Sequence, residues 1–338
     1  MLRLIFAFLC AVAACMLVAG ALSSAQSTSS STPDAFLAQV TRNPRDSFAT
    51  DISANGRFVV FESNADASTE KVPTFNSSGV RNPNARNNED GNSEIFLYDY
   101  AQRKIFQVTD TRSVINATPT PSPSPSPSPS PSVSPSPTPI PTPTPIDLSN
   151  VKIRIENKRP MISAEPALSS GNRTYTIVFS SNAPNPASFD GVDPGPIAGD
   201  GGRTLSADAN EELWTYQFTV PDTVTLSDGA DIPFQDLLSA GTFTRITSTP
   251  ASRAPTAGSS TQAPFIADDN RDATISDDGL AIAFSSTRDL VPGGNVDTGA
   301  PAPDPEIFAF SGGTFTQVTN TKSSSNPFIA ATFNDYPA

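Results

Sequence analysis

Asp51-Ile52-Ser53-Ala54-Asn55-Gly56-Arg57-Phe58-Val59-Val60-Phe61-Glu62-Ser63-Asn64 sets an Asn-Gly pair directly before a run of β-branched and aromatic residues. Val, Ile, Phe and Tyr suit a pleated, half-buried surface, and Asn-Gly tolerates the positive φ angles of a tight hairpin. After a polar loop the chain resumes at Glu94-Ile95-Phe96-Leu97-Tyr98-Asp99 and closes at Phe106-Gln107-Val108-Thr109. The segment therefore predicts strand, turn, strand, variable loop, strand, turn, strand.

The same order returns twice. Ala273-Thr274-Ile275-Ser276-Asp277-Asp278-Gly279 is followed by Ile282-Ala283-Phe284-Ser285-Ser286, then Glu306-Ile307-Phe308-Ala309-Phe310, then Phe315-Thr316-Gln317-Val318-Thr319. Between them lies a looser copy: Leu168-Ser169-Ser170-Gly171, Ile177-Val178-Phe179-Ser180-Ser181-Asn182, Glu212-Leu213-Trp214-Thr215-Tyr216 and Phe243-Thr244-Arg245-Ile246-Thr247. Aligned on Ser53, Ser169 and Ser276, the three copies predict three equivalent four-stranded units.

This order, Ser-x-(Asn/Asp)-Gly, an apolar strand ending Phe-x-Ser, then Glu-(Ile/Leu)-(Phe/Trp) and (Val/Ile)-Thr, resembles the WD40-like repeats of the TolB-type β-propeller family. The first unit carries the pattern at Ser53, Asn55, Gly56, Phe61, Ser63, Glu94, Ile95, Phe96, Val108 and Thr109. The third carries it at Ser276, Asp278, Gly279, Phe284, Ser286, Glu306, Ile307, Phe308, Val318 and Thr319. The resemblance implies an all-β, propeller-like array of four-stranded blades and protein–protein contact at a bacterial cell envelope. The chain departs from the family in showing only three complete units, in long inter-strand loops, and in a proline-rich spacer between the first and second units. Phe36-Leu37-Ala38-Gln39-Val40-Thr41 repeats a closing strand, and Asn326-Pro327-Phe328-Ile329-Ala330-Ala331 resembles the start of a further unit. A truncated reading frame, an open array and an assembly that closes by self-association all stay open.

Residues 1–25 read as an export signal: Arg3, an uncharged apolar run from Leu4 to Leu22, then Ser23-Ser24-Ala25. A lipid anchor at Cys15, after Val12-Ala13-Ala14, and an uncleaved membrane anchor are the alternatives. The expected organisation is thus residues 1–25 signal, 26–116 a first propeller-like unit, 117–146 a Pro/Ser/Thr linker, and 147–338 two further units with a partial blade. Localisation is expected to be periplasmic or extracellular. From Pro119 to Pro145 nearly every second residue is proline, which predicts a polyproline II spacer reaching roughly 80 Å if fully extended.

The 338-residue chain contains no histidine, and both cysteines, Cys10 and Cys15, lie in the export segment. The usual general base, the Ser-His-Asp triad, thiol catalysis and zinc sites are all disfavoured. Gly-x-Ser-x-Gly is absent, so no catalytic residue is assigned. A net charge of −13 argues against a nucleic-acid partner. The expected activity is non-catalytic binding or scaffolding of a protein partner. The alternatives are a carbohydrate-binding or carbohydrate-active protein using acidic loops, or a fragment without independent function.

The loop before the third strand of the first unit offers Glu89, Asp90, Asn92 and Glu94, carboxylates and an amide of the kind that hold calcium. They lack EF-hand spacing and are read first as turn residues, with calcium the alternative and no other cofactor expected. Asp190, Asp193, Asp200 and Asp208 in the second unit, and Asn295, Asp297 and Asp304 in the third, are read likewise. Glu211 and Glu212, neighbours on a predicted strand, should point to opposite faces rather than act as an acid–base pair. Trp214, Phe61, Phe179 and Phe284 are read as core rather than as a ligand cage.

Overall fold

The computed structural model describes residues 39–43, 45–70, 86–88, 90–115, 151–192, 210–222, 233–249, 270–295, 305–321 and 337. The readings of residues 1–25 fall outside them, as does the partial blade at 326–331. Among the described residues no helix is long and apolar enough to cross a membrane. The part from Thr41 to Ala338 is one compact unit and holds every strand.

The fold is all-β, built on three meandering antiparallel sheets. The first contains β1 (Ser47–Ile52), β2 (Phe58–Ser63), β3 (Glu94–Asp99) and β4 (Lys104–Gln107) in that spatial order. Next come β5 (Val114–Ile115) and β6 (Val151–Ile153), which pair with each other. The second large sheet contains β7 (Asn157–Ile162), β8 (Leu168–Ser169), β9 (Asn172–Ser181), β10 (Glu212–Pro221) and β11 (Thr242–Arg245), ordered β11-β10-β9-β7 with β8 beside β9. The third contains β12 (Asn270–Ile275), β13 (Ala281–Ser286), β14 (Glu306–Ser311) and β15 (Thr314–Gln317), in order.

The period-two side-chain alternation of strands gives the second sheet two apolar faces. Its register places Tyr175, Ile177 and Phe179 with Trp214, Tyr216 and Phe218 on one face. That face packs on Phe58, Val60, Ile95, Leu97, Phe106 and Val108 of the first sheet. Val178 and Leu213, on the other face, pack on Ala273, Ile282, Phe284 and Phe308 of the third. Phe58 meets Tyr175 edge-on at 4.8 Å and Phe218 at 5.1 Å. Full burial of each such side chain contributes about 1.5–3 kcal/mol, so these faces fix the stacking of the sheets. Trp214, Phe179 and Phe284 are buried between these faces, and Phe61 is buried against Phe96, 5.3 Å away.

Two expectations need correction. The register of the second unit is set by Ser163, not Ser169. Ser163 Oγ accepts the Thr176 N–H at 3.0 Å, as Ser53 Oγ accepts from Phe58 and Ser276 Oγ from Ala281, each also at 3.0 Å. Leu168–Ser169 instead forms an added hairpin closed by Ser170 and Gly171, both at positive φ, the conformation of a two-residue turn between twisted strands. Second, each closing strand lies slightly earlier than the repeat suggested, at Lys104–Gln107, Thr242–Arg245 and Thr314–Gln317. Across the spacer, whose residues 117–146 lie outside the described ones, the first unit packs against the second. Ile115 pairs with Val151 on its two flanks, and β7 packs against β1, β2 and β3.

Candidate functional site

Asp90, Asn92 and Glu94 come together at the top of β3, while Glu89 lies outside the described residues. Glu94 is fully buried, and both its oxygens accept hydrogen bonds. Oε1 accepts from Asn92 Nδ2 at 3.1 Å, Thr111 N–H at 2.8 Å and Thr111 Oγ1 at 2.6 Å. Oε2 accepts from Thr109 Oγ1 and from Asn157 Nδ2, the latter at 3.1 Å. Burial nevertheless pushes the Glu94 pKa up to about 8, against the lowering effect of its threonine donors. Burial likewise raises Asp90 to about 6, opposed by the charge of Arg112. Four of these five hydrogen bonds come from the first unit itself, and the fifth, from Asn157, crosses to the second sheet.

The same arrangement recurs. Glu212 Oε1 accepts from Thr249 N–H at 2.6 Å, and its Oε2 from Asn270 Nδ2 at 3.1 Å. Arg245 Nη2 lies 3.2 Å from Oε1. Glu306 accepts from Thr319 Oγ1 and, at 2.6 and 2.7 Å, from Thr321 N–H and Oγ1. Asn157 and Asn270 are each anchored by a serine of their own sheet, Ser181 at 2.7 Å and Ser286 at 2.8 Å. Glu94 with Asn157, and Glu212 with Asn270, clasp sheet to sheet. Glu211 turns away from Glu212, as expected, and lies near Lys158 and Arg159.

Of the other acidic-loop candidates, Asp190 Oδ1 accepts the Val192 N–H at 3.0 Å and so makes a turn. Asn295 is buried. Asp193, Asp200, Asp208, Asp297 and Asp304 lie outside the described residues. Among the described residues no group of three or more His, Cys, Asp or Glu is placed to hold a metal.

A cavity of about 650 Å³ opens elsewhere, along the first strands of the three sheets. Thr50 of β1, Arg159 and Met161 of β7, Asp272 and Thr274 of β12, and Pro337 line it. β7 contacts both β1 and β12, so three sheets contribute to one wall. Each of these strands bulges at the same level, between Ala49 and Asp51, Lys158 and Met161, and Arg271 and Thr274. The bulges put Arg159 at φ 55° and Asp272 at φ 53°. A side chain in this left-handed region costs on the order of 1–3 kcal/mol unless its surroundings hold it there. Here Glu62 Oε2 accepts the Arg159 N–H at 2.8 Å. Arg159 Nε lies 3.4 Å from Asp272 Oδ1, and its Nη1 lies 3.5 Å from Glu211 Oε2.

Arg159 and Asp272 were not singled out from the sequence. Aligning the second unit on Ser169 instead of Ser163 hid β7 inside a supposed loop, and Lys158-Arg159-Pro160 does not alternate like a strand. The signal that would have found them is the Asn that begins both β7 and β12, at Asn157 and Asn270.

No family model matches the chain, and no curated protein does. Among solved structures it is similar to one titled crystal structure of the tricorn protease, with 13% sequence identity and a TM-score of 0.29. The match covers 81% of this chain and 18% of that one, so the chain spans less than a fifth of that structure's length.

Proposed function

We propose that the chain is an exported, non-catalytic, β-propeller-like binding or scaffold protein that engages a protein partner outside the cytoplasm through the loops at one end of its sheets. The observation that carries this reading is the shared direction of the three sheets. The connections that leave Ser63, Ser181 and Ser286 and return at Glu94, Glu212 and Glu306 are long, and the bonds from Asn157 to Glu94 and from Asn270 to Glu212 set the strand ends they join side by side. Loops held by a rigid scaffold are where binding residues concentrate. Beneath them the buried Glu94 and Glu212 are each engaged in a hydrogen bond that crosses from one sheet to the next.

The test is site-specific photo-crosslinking in the native cells. Val192, on the second-sheet loop, and Leu280, in the hairpin of the third sheet, are both exposed. A photoreactive residue at Val192 should give a discrete adduct with an envelope protein, and one at Leu280 should not. Equal adducts from both, or retention of the chain in the cytoplasm, would sink the reading.

A further inference from the structure

The inner-strand cavity holds a chemistry that the loop-binding reading does not use. Its wall carries one cation, Arg159, and one anion, Asp272, with their nearest polar atoms 3.4 Å apart. That separation, and the 3.5 Å between Arg159 and Glu211, exceed the usual 2.7–3.2 Å of an N–H···O hydrogen bond. The guanidinium therefore keeps donors for a better-placed acceptor. Around this pair the wall is apolar at Met161, Ala273 and Pro337 and hydroxylic at Thr50 and Thr274.

Charge decides the ligand class. A net anion seated on Arg159 would meet Asp272 and Glu211, and a net cation seated on Asp272 would meet Arg159 and, beyond it, Arg271, whose Nε lies 3.3 Å from Asp272 Oδ2. A molecule bearing both charges close together satisfies both groups at once, and an apolar body would cover Met161 and Pro337. The volume lies within the roughly 300–1,000 Å³ usual for small-molecule pockets. We propose that this cavity binds a compact apolar zwitterion of the α-amino-acid type, its carboxylate on Arg159 and its ammonium on Asp272. The left-handed backbone at both residues is then the cost of holding the two charges side by side on neighbouring strands.

Calorimetric titration of the full chain at neutral pH with leucine and with phenylalanine tests this. Leucinamide, which carries only the cation, and 4-methylpentanoate, only the anion, serve as analogues. Leucine or phenylalanine should bind, with each analogue weaker by about tenfold or more, because a single charge meets the like-charged member of the pair with no second charge to offset it. Arg159→Gln should abolish the preference for a carboxylate, and Asp272→Asn the preference for an ammonium. The analogue series needs only the unaltered chain, so it stands even if a variant fails to fold. Equal binding of leucine and 4-methylpentanoate, or no heat from any of the four, would overturn the proposal. Neither result bears on the loop partner, which is read by crosslinking at Val192.

Discussion

The Nδ2 of Asn157, the first residue of β7, lies 3.1 Å from Oε2 of Glu94, the first residue of β3 in the preceding sheet. The same amide donates to the Ser93 carbonyl at 3.1 Å and to Thr111 Oγ1 at 2.9 Å. Asn270 stands to Glu212 as Asn157 does to Glu94. A clasp made in this way couples each sheet to the next through a buried carboxylate, so its loss should be felt globally.

Asn157→Ala removes the donor that reaches Glu94 from the second sheet and leaves the buried Ser181 hydroxyl without its acceptor. The expected cost is about 1–3 kcal/mol, the desolvation penalty of an unsatisfied buried group. Asn172→Ala, at a half-buried position whose side chain makes one long contact, 3.4 Å to the Ser170 carbonyl, should stay within about 0.5 kcal/mol. Urea denaturation of both variants checks this, and equal midpoints would show that the clasp contributes nothing.

Part of this arrangement was legible in the sequence and part was not. Turn chemistry and alternation locate β2, β3, β13 and β14, because Asn55-Gly56 and Asp278-Gly279 are local signals. Glu94 was visible as a repeated residue but not as a clasp. A carboxylate beside Asn92 looks the same in sequence whether it faces an ion or a threonine hydroxyl, and its deciding partner, Asn157, lies 63 residues away. β7 was hidden because its bulge interrupts the alternation and admits Pro160, a residue that sheets tolerate at edges and bulges.

The raised carboxyl groups predict an unusual pH dependence. Asp90, at about 6 against an ordinary 3.8, and Glu94, at about 8 against 4.5, bind protons more tightly folded than unfolded. Their contribution is fully present below the unfolded values and is lost as pH rises through the folded ones. Thermal stability should therefore fall from about pH 4 to pH 8. Asp90→Asn should flatten the lower part of that fall and Glu94→Gln the upper part, whatever each does to the baseline. A melting temperature that rises across this range in the unaltered chain would contradict both assignments.

Arg57 and Asp99 form a buried, two-pronged ion pair, Nε to Oδ1 at 3.0 Å and Nη2 to Oδ2 at 2.9 Å, with side chains 3% and 0% exposed. Gln235 of the second sheet's loop accepts from Arg57 at 2.8 Å, which ties that loop to the first sheet. Asp99→Ala strands the guanidinium and should cost about 3–5 kcal/mol, whereas the double variant with Arg57→Met should recover part of that loss. A double-mutant cycle measures the coupling. Strictly additive losses would mean that the pair acts as two independent groups.

The proline tract offers the sharpest test of how the sheets are joined. Ile115 and Val151, on its two sides, are paired, and Val114 pairs with Ile153 in the same short ladder. Ile155 N–H donates to Ser113 Oγ at 3.1 Å, and Val114, Ile153, Ile155, Ala183 and Phe189 form their own apolar cluster. The two flanks are thus fixed by contacts that do not involve the prolines. If the tract set the spacing between units, shortening it would pull the first sheet off the second. With the flanks already adjacent, replacing residues 119–145 by a few Gly and Ser residues closes a shorter loop. Loop-closure entropy then favours the shortened chain by about 0.6 kcal/mol per halving of loop length. The melting temperature should stay level or rise, and the first and second sheets should unfold together. By contrast, Ile153→Asp puts a charge into the flanking cluster and should lower stability by an amount typical of an unpaired buried charge, several kcal/mol. Separate unfolding transitions in the shortened chain would show that the prolines themselves hold the sheets in place.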